Sequence, residues 1–126
     1  MNQPREGGNV SISVLGLAAL ATVLSLLTAD LAVFLGARAQ AQAAADAAAL
    51  AAAPLTFIGG DAPEVAAATA VDNGARLTRC DCPHDSSWQR RSVRAAVAVT
   101  VHLAILPSTT VEASAHAVFD PVRLRG

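Results

Sequence analysis

The 126-residue sequence has no lysine and no tyrosine, a single tryptophan and only three phenylalanines. Aromatics at 3% exclude a core built on packed rings. Cys80 and Cys82 are the only cysteines, too few for a disulfide framework. Charged residues make up 15% and the formal net charge is −1, which excludes a protein that binds nucleic acid through bulk positive charge. No glycine-rich nucleotide loop, paired catalytic carboxylates or nucleophile–base set is visible. The expectation is a non-enzymatic protein without cofactor, metal or small-molecule substrate. Alanine is abundant instead, at about a quarter of the chain. Hydrophobic content of 53% and a mean hydropathy of +0.44 argue against disorder. The length allows one core and no second one.

The longest charge-free stretch of the N-terminal half lies between Glu6 and Asp30, and from Val10 to Ala29 it is overwhelmingly apolar. About 20 such residues cross roughly 30 Å of hydrocarbon as a helix. The apolar character continues past Asp30 to Gly36, longer than the core of a secretory signal peptide. This favours an uncleaved anchor, with a cut near Ala39 in Ala37-Arg38-Ala39 as the competing reading. Arg5 and Arg38 leave the positive-inside balance even. The short tail is therefore placed in the cytoplasm and the larger C-terminal part outside. From 37 to 53 the chain is Ala-rich and strongly helix-forming, until Pro54 stops it. The expected divisions are a tail at 1–9, a transmembrane helix at 10–36, its extension at 37–53 and an extracytoplasmic module at 54–126.

Two stripes run along this helix. Ala18, Thr22, Ser25, Ala29, Ala32, Gly36, Ala39 and Ala43 recur at spacings of three and four, and six leucines from Leu17 to Leu35 share the rhythm. At 100° per residue the stripes lie roughly 130° apart. Small residues let helix backbones approach in lipid, so the first stripe reads as a packing seam, against the alternative that Ala-rich sequence makes such stripes by chance. Asp30 sits near the outer end of the span, where it either reaches headgroups and water or contacts another helix.

Beyond Pro54, a connector containing Gly59-Gly60 leads to a short helix. Asp61 is its N-cap, with Pro63 in the first turn, Glu64 three residues on and Asn73-Gly74 closing it. Strand patterning follows at 75–82. It is clearest in Val93, Ala95, Val97, Val99, Val101, Leu103 and Ile105, which share one face. Pro107-Ser108 breaks the run, and a third strand spans 110–119. A hairpin here pairs odd with odd positions, so both apolar rows face the same way, towards the long helix, the short one or both. The fold class is α+β: a long N-terminal transmembrane helix entering a small extracytoplasmic module with a short helix and a three-stranded antiparallel sheet.

Within the module, Cys80, Cys82 and His84, with His102, His116 or Asp85, could supply metal ligands, but the spacing departs from the usual paired motif. A redox-active Cys80–Cys82 bridge is a second reading, and two cysteines in separate surroundings a third. His102 and His116 fall on one sheet face and could lie near each other, while Arg90, Arg91 and Arg94 read as a basic patch.

The tail ending in Gly7-Gly8, the apolar helix and the Gln42–Ala53 block resemble the TadE/TadG-like pseudopilins. Ala29-Asp30-Leu31, the Asp46–Leu50 block and Asn73 to Cys80 resemble, more narrowly, actinobacterial TadE-like proteins of a helicase/secretion gene neighbourhood. The likeness covers nearly the whole chain in Ala-rich motifs of modest specificity. It implies a pilin-like, single-pass component of a tight-adherence (Flp) pilus or related type II/IV secretion apparatus. Its partners would be the membrane and other pilin-like or secretion subunits, met through the N-terminal helix. The resemblance makes Gly8 a candidate processing position. Yet Ser13 stands where the glutamate five residues after a processed glycine is expected, and no cysteine precedes Cys80. A secreted binding protein released near Ala39 is the alternative, and a metal-binding module a weaker one.

Overall fold

In the computed structural model, which describes residues 7–125, one helix organises everything else. This helix, α1, runs without a break over Gly7–Ala52, about 69 Å at 1.5 Å per residue. It contains no proline, and about half of its second half is alanine, the best helix former. Pro54 then turns the chain into α2, a single turn at Leu55–Ile58. Gly59 closes that turn at φ +83°, a left-handed conformation that favours glycine. The expected connector is thus partly helical.

The helix α3 spans Ala62–Asp72, and the Asp61 carboxylate accepts the Glu64 N–H at 3.0 Å, the cap expected from the sequence. Gly74, at φ +72°, releases the chain into the sheet. Strands β1 (Arg76–Asp81), β2 (Arg91–Val101) and β3 (Thr109–Phe119) form an antiparallel meander in that order. The register pairs Val93 with Ala117, Ala95 with Ala115 and Val99 with Val111, odd with odd. A short 3-10 turn, Pro121–Arg125, follows β3.

Both apolar rows of the hairpin face the second half of α1 and share one buried cluster with its Ala37, Ala41, Ala44, Ala45 and Ala48. Alanine here lets the helix axis approach the sheet closely, and Val93 and Val97 supply the volume. On another flank of α1, α3 buries Ala62, Ala66 and Ala70 and also touches β1. The long helix therefore carries both the sheet and α3. Its first half carries neither: every position from Val10 to Ala29 is exposed.

Two expectations about the strands need correction. The alternation through Leu103 and Ile105 suggests a strand reaching residue 105, but β2 ends at Val101. Val101 pairs with Thr109, so residue 105 is the middle of the turn, and the amides there bond to a side chain of α1, described next. The strand also begins at Arg91, two residues before its first valine, because that arginine packs inward.

Candidate functional site

The surface that distinguishes this chain is the uncovered half of α1. Leu17, Leu20, Leu24, Leu31 and Leu35 are all exposed, and so are all eight positions of the small-residue stripe, from Ala18 to Ala43. The buried stripe centred on Ala37, Ala41 and Ala48 lies about 130° from the small one. The module therefore covers the opposite side of the helix and leaves the candidate seam open along its whole length. The seam's hydroxyls are satisfied internally: Thr22 donates to the Ala18 carbonyl at 2.9 Å and Ser25 to that of Ala21 at 2.8 Å. Thr28 does the same with Leu24 at 3.0 Å and Ser25 at 2.8 Å. Such pairing removes the cost of placing hydroxyls in hydrocarbon. A Cβ built on Gly16 or Gly36 meets nothing within 4 Å, so both glycines border open space.

Asp30 marks where the bare half ends. Its carboxylate accepts the backbone N–H groups of Ala104, Ile105 and Leu106 at 2.7, 3.0 and 3.3 Å. The residue is only 3% exposed. Neither sequence reading, a reach to headgroups or a contact with a second helix, describes this arrangement: the partner is the chain's own β2–β3 loop. Each side completes the other, because the loop presents three donors without a ladder and the helix presents a carboxylate without a cation. The signal was present in the sequence, as one acid within a charge-free run and a loop without charge between Arg94 and Glu112. Nothing in one dimension joined them.

At the far end of the module a second cluster forms around Arg91, which is buried. Its guanidinium donates to the carbonyls of Thr56 at 3.4 Å, Gln89 at 3.1 Å and Ser87, and it lies 5.6 Å from the Phe57 ring centroid. Phe57 contacts Trp88 edge-on at 5.1 Å, and Arg125 stacks over Trp88 at 4.7 Å. The expected patch of Arg90, Arg91 and Arg94 is thus divided. Arg90 pairs with Asp120 at 3.5 Å, and Arg94 stands between Asp81 and His116 in the register. Beside Arg91, Asp85 accepts the Ser87 N–H at 2.8 Å and its hydroxyl at 2.9 Å. The Ser87 amide, then its hydroxyl, hold the Asp85 carboxyl below its ordinary range, with smaller help from Arg91 and His84.

The remaining candidates are separated. Cys80 and Cys82 are joined in a disulfide with Cα atoms 5.4 Å apart, so neither offers a thiolate to a metal. Among the described residues, no three His, Cys, Asp or Glu side chains are grouped to hold an ion. His102 hydrogen-bonds Ser108 at 2.9 Å, whereas His116 lies opposite Arg94. The two histidines are therefore roughly 25 Å apart along the hairpin, at about 3.4 Å per residue. Gly8 falls in the first turn of α1, and the tail at 1–6 lies outside the described residues.

The fold and this surface define an α+β protein with a helix long and apolar enough to cross a membrane, of which only the C-terminal half is covered by its own module. A family model described as Tad, putative Flp pilus-assembly TadE/G-like, matches residues 8–54. The matched segment is α1 and its ending at Pro54, so the similarity falls on the bare helix and the module's helical wall and leaves out α3 and the sheet. No curated protein and no solved structure matches the chain.

Proposed function

We propose that this chain is a non-enzymatic, single-pass membrane component of a tight-adherence (Flp) pilus or a related type II/IV secretion apparatus, acting by helix–helix packing. The observation that carries the reading is the division of α1. One half is packed along one side by the chain's own module, and the other is an apolar rod, about 35 Å at 1.5 Å per residue, exposed at every position from Val10 to Ala29 among the described residues. That length suits the hydrocarbon thickness of a bilayer. The similarity of residues 8–54 to the TadE/G-like family supports a pilus-assembly setting. The narrower likeness to actinobacterial TadE-like proteins belongs to the same proposal, as does an orientation with the N-terminus cytoplasmic and the module outside. The small-residue seam is its contact surface for pilin-like or secretion subunits, since it faces away from the module and reaches beyond the span to Ala43.

Release by cleavage near Ala39 is disfavoured on energetic grounds. Such a cut would take Asp30 from its loop and Ala37 from the core, leaving three partly buried amides without acceptors. The test is the intact mass of the native protein in separated membrane and medium fractions. Full-length chain in carbonate-washed membranes, or chain shortened only to Gly8, is expected. A species beginning near Gln40 in the medium overturns the reading.

A further inference from the structure

The β2–β3 tip lies at the level of the helix where the bare half of α1 ends, and it points along α1 towards the N-terminal half. Two contacts fix this direction. Arg91 at the start of β2 reaches Thr56 beyond the C-terminal end of α1, while residues 104–106 beyond the end of β2 reach Asp30. The tip is apolar and open to solvent, with Ile105 47% and Leu106 50% exposed. No charged residue occurs from Ala95 to Val111. With the Asp30 carboxylate covered by the tip, the exposed surface of α1 carries no charge from Val10 to Ala37, the residue before Arg38. That uncharged length is about 42 Å, more than the ~30 Å of hydrocarbon and close to the 40–45 Å of a whole bilayer.

We propose that the β2–β3 tip, led by Ile105 and Leu106, inserts into the interfacial layer of the same membrane that α1 crosses, as a second anchor beside the helix. The inference rests on the membrane-anchor reading above. Loops enter lipid at a high cost because their amides lose water. Here the three amides at the tip are already bonded to Asp30, so immersion leaves them satisfied. Asp30 in turn is held at bilayer depth by donors of its own chain. The insertion buries the two large exposed side chains of the tip and fixes how far α1 rises from the membrane and how the module is rotated around it.

The test uses the full chain reconstituted in phosphatidylcholine–phosphatidylglycerol vesicles, with and without a mixture of lipids brominated near the carbonyl end and near the methyl end of the acyl chain. Native protein gives the signal of Trp88, at the opposite end of the module, which is expected to be unquenched. Leu106→Trp and Leu20→Trp each add one reporter at an exposed position, where folding is undisturbed. Both added tryptophans are expected to lose most of their emission to the bromolipid, and the one at 106 to be shifted to the blue. If the reporter at 20 is quenched and that at 106 emits as in water, the tip is outside the membrane. The second anchor is then discarded while the transmembrane reading stands. A reporter at 106 that is blue-shifted but unquenched by lipid means that protein covers the tip, which also overturns the proposal. Quenching at neither position removes the membrane anchor itself.

Discussion

At Asp30 and Asp85 the same chemistry, a carboxylate taking backbone amides, is used at opposite ends of the molecule. Asp30 fastens a loop across 74 residues of sequence, whereas Asp85 organises a turn with Ser87, two residues on. Only the second is local enough to be read from sequence, since Asp and Ser two residues apart favour a turn. The lowered pKa of Asp85 has a direct consequence for pH. A carboxyl whose folded value lies below its unfolded one contributes stability that is complete above the unfolded value and lost as pH falls through the folded value. The loop at 82–90 is therefore expected to loosen as pH drops below about 4, the ordinary Asp value. Trp88 emission reports it, since Trp88 packs on Phe57 within that cluster. Asp85→Asn should flatten the acid limb; an unchanged limb would mean that another group drives it.

The element that carries the most information is α1, because its faces obey different rules. On the module side, Ala48 is fully buried against the rest of the fold. Ala48→Leu should overpack that contact and lower module stability by roughly 1–3 kcal/mol, read by urea denaturation. On the far side, a side chain at Gly36 meets only open space. Gly36→Leu should leave module stability within about 0.5 kcal/mol of native, yet weaken self-association or subunit association in a membrane dimerisation assay by closing off backbone approach. Association unaffected by Gly36→Leu would remove the seam from the proposal. The sheet shows the reverse of this legibility. Its register followed from alternation alone, as Val93 opposite Ala117 and Val99 opposite Val111 show. Its end at Val101 did not, because the turn is centred on residue 105, where Asp30 takes the free amides.

Across the whole molecule, the bare half of α1 and the module behave as separable parts joined at Asp30. A chain beginning at residue 28 keeps every described contact between Asp30 and the loop and is expected to fold with native module stability. A chain beginning at residue 40 loses Asp30 and Ala37 and should be less stable by roughly 1–3 kcal/mol in urea, the cost of stranding partly buried amides. Equal stability of the two would show that the Asp30 contact contributes little. By itself the sequence determined the long helix, its stop at Pro54, the cap at Asp61 and the odd-to-odd hairpin, since each depends on residues within a few positions or on a simple period. The tertiary structure alone decided that Asp30 closes the hairpin tip, that Arg91 turns inward and that His102 and His116 stand apart. Those outcomes depend on which distant backbone groups are left without partners once the sheet is laid on the helix, and no local pattern encodes that.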